Sequence, residues 1–397
     1  MKILLAAASF SPEMSGVQRH AFNVVRCLLS RPDVTSVTLV MASWQQELVR
    51  SSGLQSGPRL SFHFAEMHNT SLSRILWFYR DLPTLARQLG ADVVHIAYPA
   101  PLNIRSFPCP VVVTLHDLYP YEIPSNFGLL KGLFNRLLLR QCLRAVDAIA
   151  CVSETTLLRL GHYVPLEVQQ VARRIYNCVE LGPAYASQTS LPGWSGEPFL
   201  LCVAQHRRNK NIPFLIGVFQ RLLQSKSFAP ATRLIIVGIS GPETRSILRL
   251  IRRSGLDNFI FLRQGLSESD LQWCYRNCEA VVTPSTIEGF GLPVVEALMA
   301  GCRVVCSDIP AFREFGGNTC RYVSLDADAE AAFAEAILNV LHEPRPRPIS
   351  MPELAAPIIA GQYVRLYCEL LTSATASQDA LLSSAHSTTH IGRHHSS

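Results

Sequence analysis

Charged side chains are scarce in this chain and nowhere form a run. Asp, Glu, Lys and Arg make up 17% of its 397 residues against 48% hydrophobic, a balance that excludes a disordered polyelectrolyte and predicts large buried cores. The formal net charge is +6, nearly all of the basic side being arginine, and no Lys/Arg block occurs. That argues against a nucleic-acid partner and leaves room for an anionic ligand or a membrane surface. There is no CxxC pair. The twelve cysteines are scattered, mostly inside apolar segments (Cys27, Cys151, Cys202, Cys306), and Cys274 and Cys278, four apart, have no His or second pair beside them. They read as buried thiols of a reducing, cytoplasmic compartment rather than as a metal site. No segment of membrane-spanning length is free of charge, so the chain is not integral to a membrane. The opening Lys2–Ser9 is too short for a secretory leader and reads as a first strand. The loop after it, Ser9-Phe-Ser-Pro-Glu-Met-Ser-Gly16-Val-Gln-Arg19-His20, is neither GxGxxG nor a P-loop, which counts against a dinucleotide or NTP site there.

What is present is alternation. Continuous apolar runs at Ile3–Ala8, Ser36–Met41, Asp92–Ile96, Val111–Leu115 and Ala148–Val152 are separated by helical stretches, the first from about Val17 to Leu29. The pattern restarts at Phe199–Val203 and continues through Leu234–Val237, Phe259–Leu262, Ala280–Thr283 and Val304–Ser307. Such strands predict α/β architecture with two parallel, doubly wound Rossmann-like sheets, ligands binding at the strands' carboxyl ends. The Pro/Gly/Ser-rich texture of residues 181–197 marks a linker between domains at 1–180 and 198–345. Residues 346–371 read as a crossover and final helix, and the Ser-rich tail 372–397, with its closing His394 and His395, as disordered. Asp326 and Asp328 spell a DxD but open a helix, where Asp serves as cap and dipole partner, so no metal or cofactor is expected.

The most informative stretch is Ser285-Thr-Ile-Glu288-Gly289-Phe290-Gly291-Leu292-Pro293-Val-Val-Glu296-Ala-Leu-Met-Ala-Gly301. Pro293 suits the start of a helix, while Gly289 and Gly291 let backbone amides approach a ligand at its positive end: an anion cradle. Glu288 and Glu296 flank it and would repel a phosphate, so each addresses a neutral, hydroxyl-bearing part of the same ligand. An anion between two polyols describes a nucleoside diphosphate sugar. Glu296 would hold ribose and Glu288 the transferred sugar; a Gly-rich cap with two solvated glutamates is the plain alternative. Two further strand ends carry candidate chemistry. His116-Asp117 follows one strand and suits acid/base work or sugar contact, against a simple capping role. The basic loop His206-Arg207-Arg208-Asn209-Lys210-Asn211 follows another and would neutralise a departing diphosphate.

Glu288-Gly-Phe-Gly-Leu-Pro-Val-Val-Glu296, with Pro284-Ser285 before it and Ala-Leu-Met-Ala-Gly301 after, resembles the two-glutamate signature of retaining GT-B glycosyltransferases, family 4 (glycosyl transferases group 1). The resemblance extends nearly to Leu371, more loosely in the first half. It implies two facing domains with a cleft between them and metal-independent transfer of a hexose-type sugar to a glycan or lipid-linked acceptor. It also implies donor contacts from Gly16, Leu266, Glu288, Gly289, Phe290, Gly291, Leu292 and Glu296, and places His116 and Asp117 near the reacting sugar. The family's Arg-Lys-Asn loop maps onto Lys210 and Asn211. Asn209 stands where arginine is usual, so Arg208 takes the arginine role, with Arg207 as competitor.

Phe127–Val146 is a candidate peripheral membrane contact on the inner face of the membrane. Arg136, Arg140 and Arg144 repeat every four residues beside Leu133, Phe134, Leu137, Leu138 and Leu139, although a covering helix of the sheet would read similarly. Two rival functions remain open from sequence. One is a nucleotide-sugar epimerase of the same architecture; the other is an inactive nucleotide-sugar-binding protein whose Asn209, Ala204 and Cys178 replacements have removed catalysis.

Overall fold

The structure is a computed structural model and describes residues 1–124, 128–181 and 194–390. Phe127, residues 182–193 of the expected linker, and His394 and His395 lie outside the described residues. The first half forms β1 (Lys2–Ala6), β2 (Ser36–Ala42), β3 (Leu60–Ala65), β4 (Val93–Ile96), β5 (Val111–Leu115), β6 (Ala148–Cys151) and β7 (Ala172–Arg174). These pair in parallel in the order β3-β2-β1-β4-β5-β6-β7. The second half forms β8 (Phe199–Val203), β9 (Arg233–Val237), β10 (Ile260–Arg263), β11 (Ala280–Thr283), β12 (Val304–Ser307) and β13 (Arg321–Val323), parallel again, in the order β10-β9-β8-β11-β12-β13.

Central strands such as β4, β5, β6 and β11 are buried along their whole length, which is why they read as largely apolar runs, with His95, Thr114 and Thr283 as buried polar exceptions. Three strands carry no such signal. β3 (Leu-Ser-Phe-His-Phe-Ala), β7 (Ala-Arg-Arg) and β13 (Arg-Tyr-Val) are edge strands, covered less completely, and accept polar residues.

Helices cover both faces of each sheet. On one face of the first, Phe22 and Val25 of helix Gly16–Leu29 pack with Tyr363 and Tyr367 of helix Ala356–His390, so the chain ends back on the domain where it began. On the other face lie Trp77, Phe78, Leu82, Leu139 and Leu143. The closing helix continues to His390, past Thr372 where the tail composition predicts disorder. The hydroxyls of Thr372, Ser373 and Thr375 donate to the carbonyls of Cys368, Glu369 and Leu371, the helical back-bonding open to Ser and Thr. Asp328 does precede helix Ala329–His342, but its side chain makes no cap hydrogen bond. The amides of Ala329 and Ala331 are taken by the backbone carbonyls of Asp326 and Asp328. All twelve cysteines are free, and only Cys368 is exposed.

In each sheet the chain winds outward in opposite directions from a central pair, β1 with β4 and β8 with β11. Loops leaving the carboxyl ends of such a pair diverge and leave a crevice. The two crevices face each other, and the site lies between them.

Candidate active site

The loops after β8 and β11 bring the basic loop onto the two-glutamate stretch. The carbonyl of Asn209 accepts from the amide of Thr286 at 2.8 Å, fixing one loop against the other. Lys210 Nζ then reaches Glu288 Oε1 at 2.5 Å, and both groups are largely buried. From the opposite domain, the hydroxyl of Tyr119 lies 3.3 Å from Glu288 Oε2 and accepts from Asn209 Nδ2 at 3.2 Å. Burial and the neighbouring Glu288 and Asp117 charges push the Tyr119 phenol well above its ordinary range, so it remains a hydroxyl donor.

His116 and Asp117 directly follow β5 and line the same cavity of about 600 Å³. His116 Nε2 lies 2.8 Å from the carbonyl of Ala97, to which it must donate, leaving Nδ1 as the acceptor. Burial lowers the imidazole to about 4, so it is neutral. Burial raises the Asp117 carboxyl to about 6 despite the hydrogen bond its Oδ1 accepts from the Tyr119 amide. Behind His116, His95 Nε2 and Thr114 Oγ1 are 2.8 Å apart, and His95 Nδ1 lies 2.7 Å from the Tyr367 hydroxyl. The crossing helix thus reaches the strand that carries His116.

Helix Leu292–Met299 opens at Gly291, whose φ of +90° favours glycine, with Pro293 in its first turn. One turn in, Glu296 is 6% exposed. Its Oε2 accepts from the Tyr275 hydroxyl at 2.8 Å, and its Oε1 from Arg19 Nη1 at 2.8 Å; Arg19 Nη2 reaches Glu268 at 2.9 Å. Burial raises the Glu296 carboxyl, with Arg19 and Tyr275 opposing that rise.

Gly16, His116, Asp117, Lys210, Leu266, Glu288, Phe290, Gly291, Leu292 and Glu296 all line the cavity. Two expected residues do not. Gly289 is pressed against the facing domain: an added Cβ would lie 1.7 Å from the carbonyl oxygen of His116, and its own carbonyl accepts from the Thr156 hydroxyl at 2.9 Å and from that of Ser153. Its contacts in the structure are with the facing domain. Arg207 and Arg208 are both exposed, but Arg208, at the start of the short turn Arg208–Lys210, is absent from the lining, whereas Arg207, the last extended residue before that turn, lines the cavity. Arg207 is thus the arginine of this loop that reaches the cavity, and its charge also reaches Asp117 and Tyr119. Tyr119 and Tyr275 carry no signal in the sequence, and Arg19, in the loop after the first strand, reads there equally as a ligand contact or as a helix-surface residue. Only their meeting with the two glutamates across space gives them a role.

On the helix expected at a membrane, Leu130, Leu133, Phe134 and Leu137 are exposed, together with Arg140 and Arg144. Arg136 instead folds inward, its guanidinium donating to the carbonyls of Pro120 at 2.7 Å and Tyr121 at 3.2 Å. Among the described residues no helix is long and apolar enough to cross a membrane.

Residues 14–182 match the family described as Glycosyltransferase Family 4 and residues 190–354 that described as Glycosyl transferases group 1. The chain is 26% identical over 228 residues to the O-antigen chain mannosyltransferase RfbU of Salmonella typhimurium, a match spanning 57% of this chain and 60% of that protein. It is 24% identical over 355 residues to the GDP-mannose:cellobiosyl-diphosphopolyprenol alpha-mannosyltransferase of Xanthomonas oryzae pv. oryzae, spanning 85% and 86%. Among solved structures, Anabaena Alr3699/HepE in complex with UDP and glucose shares the fold, with a TM-score of 0.63 at 16% identity over 97% of this chain and 100% of that one. With one match on each domain and the two-glutamate cleft between them, the chain belongs to the family 4, group 1 glycosyl transferases of GT-B architecture.

Proposed function

We propose that the chain is a retaining, metal-independent mannosyltransferase that moves mannose from a nucleoside diphosphate to a hydroxyl of a glycan or lipid-linked glycan. The observation that carries this reading is the placement of Glu288 and Glu296 on either side of the Gly291 helix start, with Lys210 and Arg207 lining the same cavity. The names of the two relatives support the choice of sugar, and the Xanthomonas protein's supports GDP as its carrier.

In this reading Lys210, Arg207 and the amides at the start of helix Leu292–Met299 stabilise the departing diphosphate. Glu288, held by Lys210 and Tyr119, accepts from hydroxyls of the transferred sugar, and neutral His116 offers Nδ1 to another. The bond from the anomeric carbon to the phosphate oxygen breaks while the acceptor oxygen bonds to the same face. The acceptor proton passes to the leaving phosphate, so no protein nucleophile is needed. The exposed Leu133, Phe134 and Leu137 beside Arg140 and Arg144 fit an anionic membrane surface on which a lipid-linked acceptor would be met.

The test is turnover of GDP-mannose, UDP-glucose and UDP-galactose in chelator, with the product's anomeric configuration read by NMR. GDP-mannose as the preferred donor with an α-linked product is expected. In Glu288→Ala and Glu288→Asp, equal loss of turnover with donor affinity intact is expected, and full activity of Glu288→Ala would sink the reading. Donor consumption without any acceptor would point instead to an epimerase.

A further inference from the structure

We propose that Arg19, on the first helix of the amino-terminal domain, is a positioning residue of the nucleotide site: it holds Glu296 ionised and oriented to accept the ribose hydroxyls. The inference rests on the reading of Glu296 as the ribose-binding carboxylate.

Glu296 is nearly enclosed, and an ionised carboxylate so placed needs a partner. Among the described residues its own domain supplies only a neutral one, the Tyr275 hydroxyl at 2.8 Å. The charged partner comes from across the cleft, Arg19 Nη1 at 2.8 Å on Oε1. The groups facing Glu296 are therefore Arg19 from helix Gly16–Leu29 and Glu268 and Tyr275 from helix Glu268–Asn277. Glu268 raises the Glu296 carboxyl, Tyr275 lowers it by hydrogen bonding, and Arg19 is the sole cation among them.

A carboxylate offers about four lone-pair positions. Arg19 and Tyr275 each occupy one, on different oxygens, which leaves one on each oxygen for a pair of neighbouring hydroxyls. The Arg19 fork also spans two carboxylates rather than gripping one, so Glu296 is oriented without being saturated. The local charge follows the same logic. Glu268 and Glu296 without Arg19 would present two negative charges to a ligand whose diphosphate is itself negative; with Arg19 they present one. The ribose site is thus complete only when the two domains are together.

The experiment is calorimetric titration of the full chain with GDP and UDP and their 2′-deoxy and 3′-deoxy forms, from roughly pH 5 to 9. Wild type, Arg19→Met, Arg19→Lys and Glu296→Ala are compared, each with a thermal melt to confirm folding. Arg19→Met is expected to weaken the parent nucleotide by about ten-fold or more and to weaken each deoxy form, which has already lost one of the two Glu296 contacts, by less. Its loss of binding toward acid should begin about one to three pH units higher than in wild type, since binding needs ionised Glu296 and fails as pH falls through a carboxyl now lacking its cation. Arg19→Lys should restore part of both. An equal penalty on parent and deoxy nucleotides, an unmoved acid limb, or tighter binding, which would make Arg19 a plug, each overturns the proposal. Separately, if Glu296→Ala keeps the wild-type preference for ribose, or wild type binds neither nucleotide, the ribose reading itself falls.

Discussion

At the scale of residues, the site is a set of buried ionisable groups whose partners decide their state. Asp117 and His116 are adjacent, yet burial moves them in opposite directions, the carboxyl up to about 6 and the imidazole down to about 4. The neutral imidazole persists through the physiological range, so Asp117 is the member of the pair that titrates near working pH. If its charge is required, kcat/KM falls as pH drops through about 6, and Asp117→Asn removes that limb of the pH profile along with most of the activity. For stability the signs differ. A raised Asp117 favours the folded state below its folded value, a contribution lost as pH rises toward about 6. The lowered His116 and His95 make folding weaker as pH falls from the ordinary histidine range toward about 4 and about 3. Asn209 shows what a one-letter departure means in space. Where the family usually has arginine, its amide donates to Tyr119, which in turn meets Glu288.

At the scale of elements, the long closing helix is two things in sequence. Ile359, Tyr363, Val364 and Tyr367 are buried against the first domain. Beyond Leu371 the described hydrogen bonds run within the helix, from Thr372, Ser373 and Thr375 to carbonyls three or four residues earlier. Tyr367→Phe, which takes the hydroxyl from the buried Nδ1 of His95, should cost about 1–3 kcal/mol by denaturant titration. The strand pattern was legible wherever strands are central, because burial on both faces favours Val, Ile, Leu and Ala at most positions. β3, β7 and β13 were not legible, since an edge position relaxes that demand and leaves Ala172-Arg-Arg174 looking like any loop.

At the scale of the whole molecule, the two walls of the cleft are joined by contacts that involve few side chains. Glu314 accepts from the amides of Glu154 and Thr155 and from the Thr155 hydroxyl, at 2.7 to 3.0 Å, and Arg159 donates to the carbonyl of Glu288 at 2.9 Å. Gly289 packs directly under the His116 carbonyl, where an added Cβ would lie 1.7 Å from the carbonyl oxygen. A methyl group there has nowhere to go, because both sides are backbone. Gly289→Ala should hold the domains apart, raising the radius of gyration in small-angle scattering and lowering kcat by about ten-fold or more, since roughly 1 Å of misplacement costs about a hundred-fold.

The sequence by itself determined the two parallel sheets, the crossing helix and the signature from Glu288 to Glu296, because local periodicity, turn chemistry and helix-start residues are carried by neighbours along the chain. Tertiary structure alone decided that Arg207 rather than Arg208 enters the cleft, that Gly289 serves domain contact, and that Tyr119, Tyr275 and Arg19 complete the two glutamates. The physical reason is that each of these depends on a partner from another loop or domain. Arg19 and Glu296 meet only once two sheets have folded and their switch points have been brought face to face.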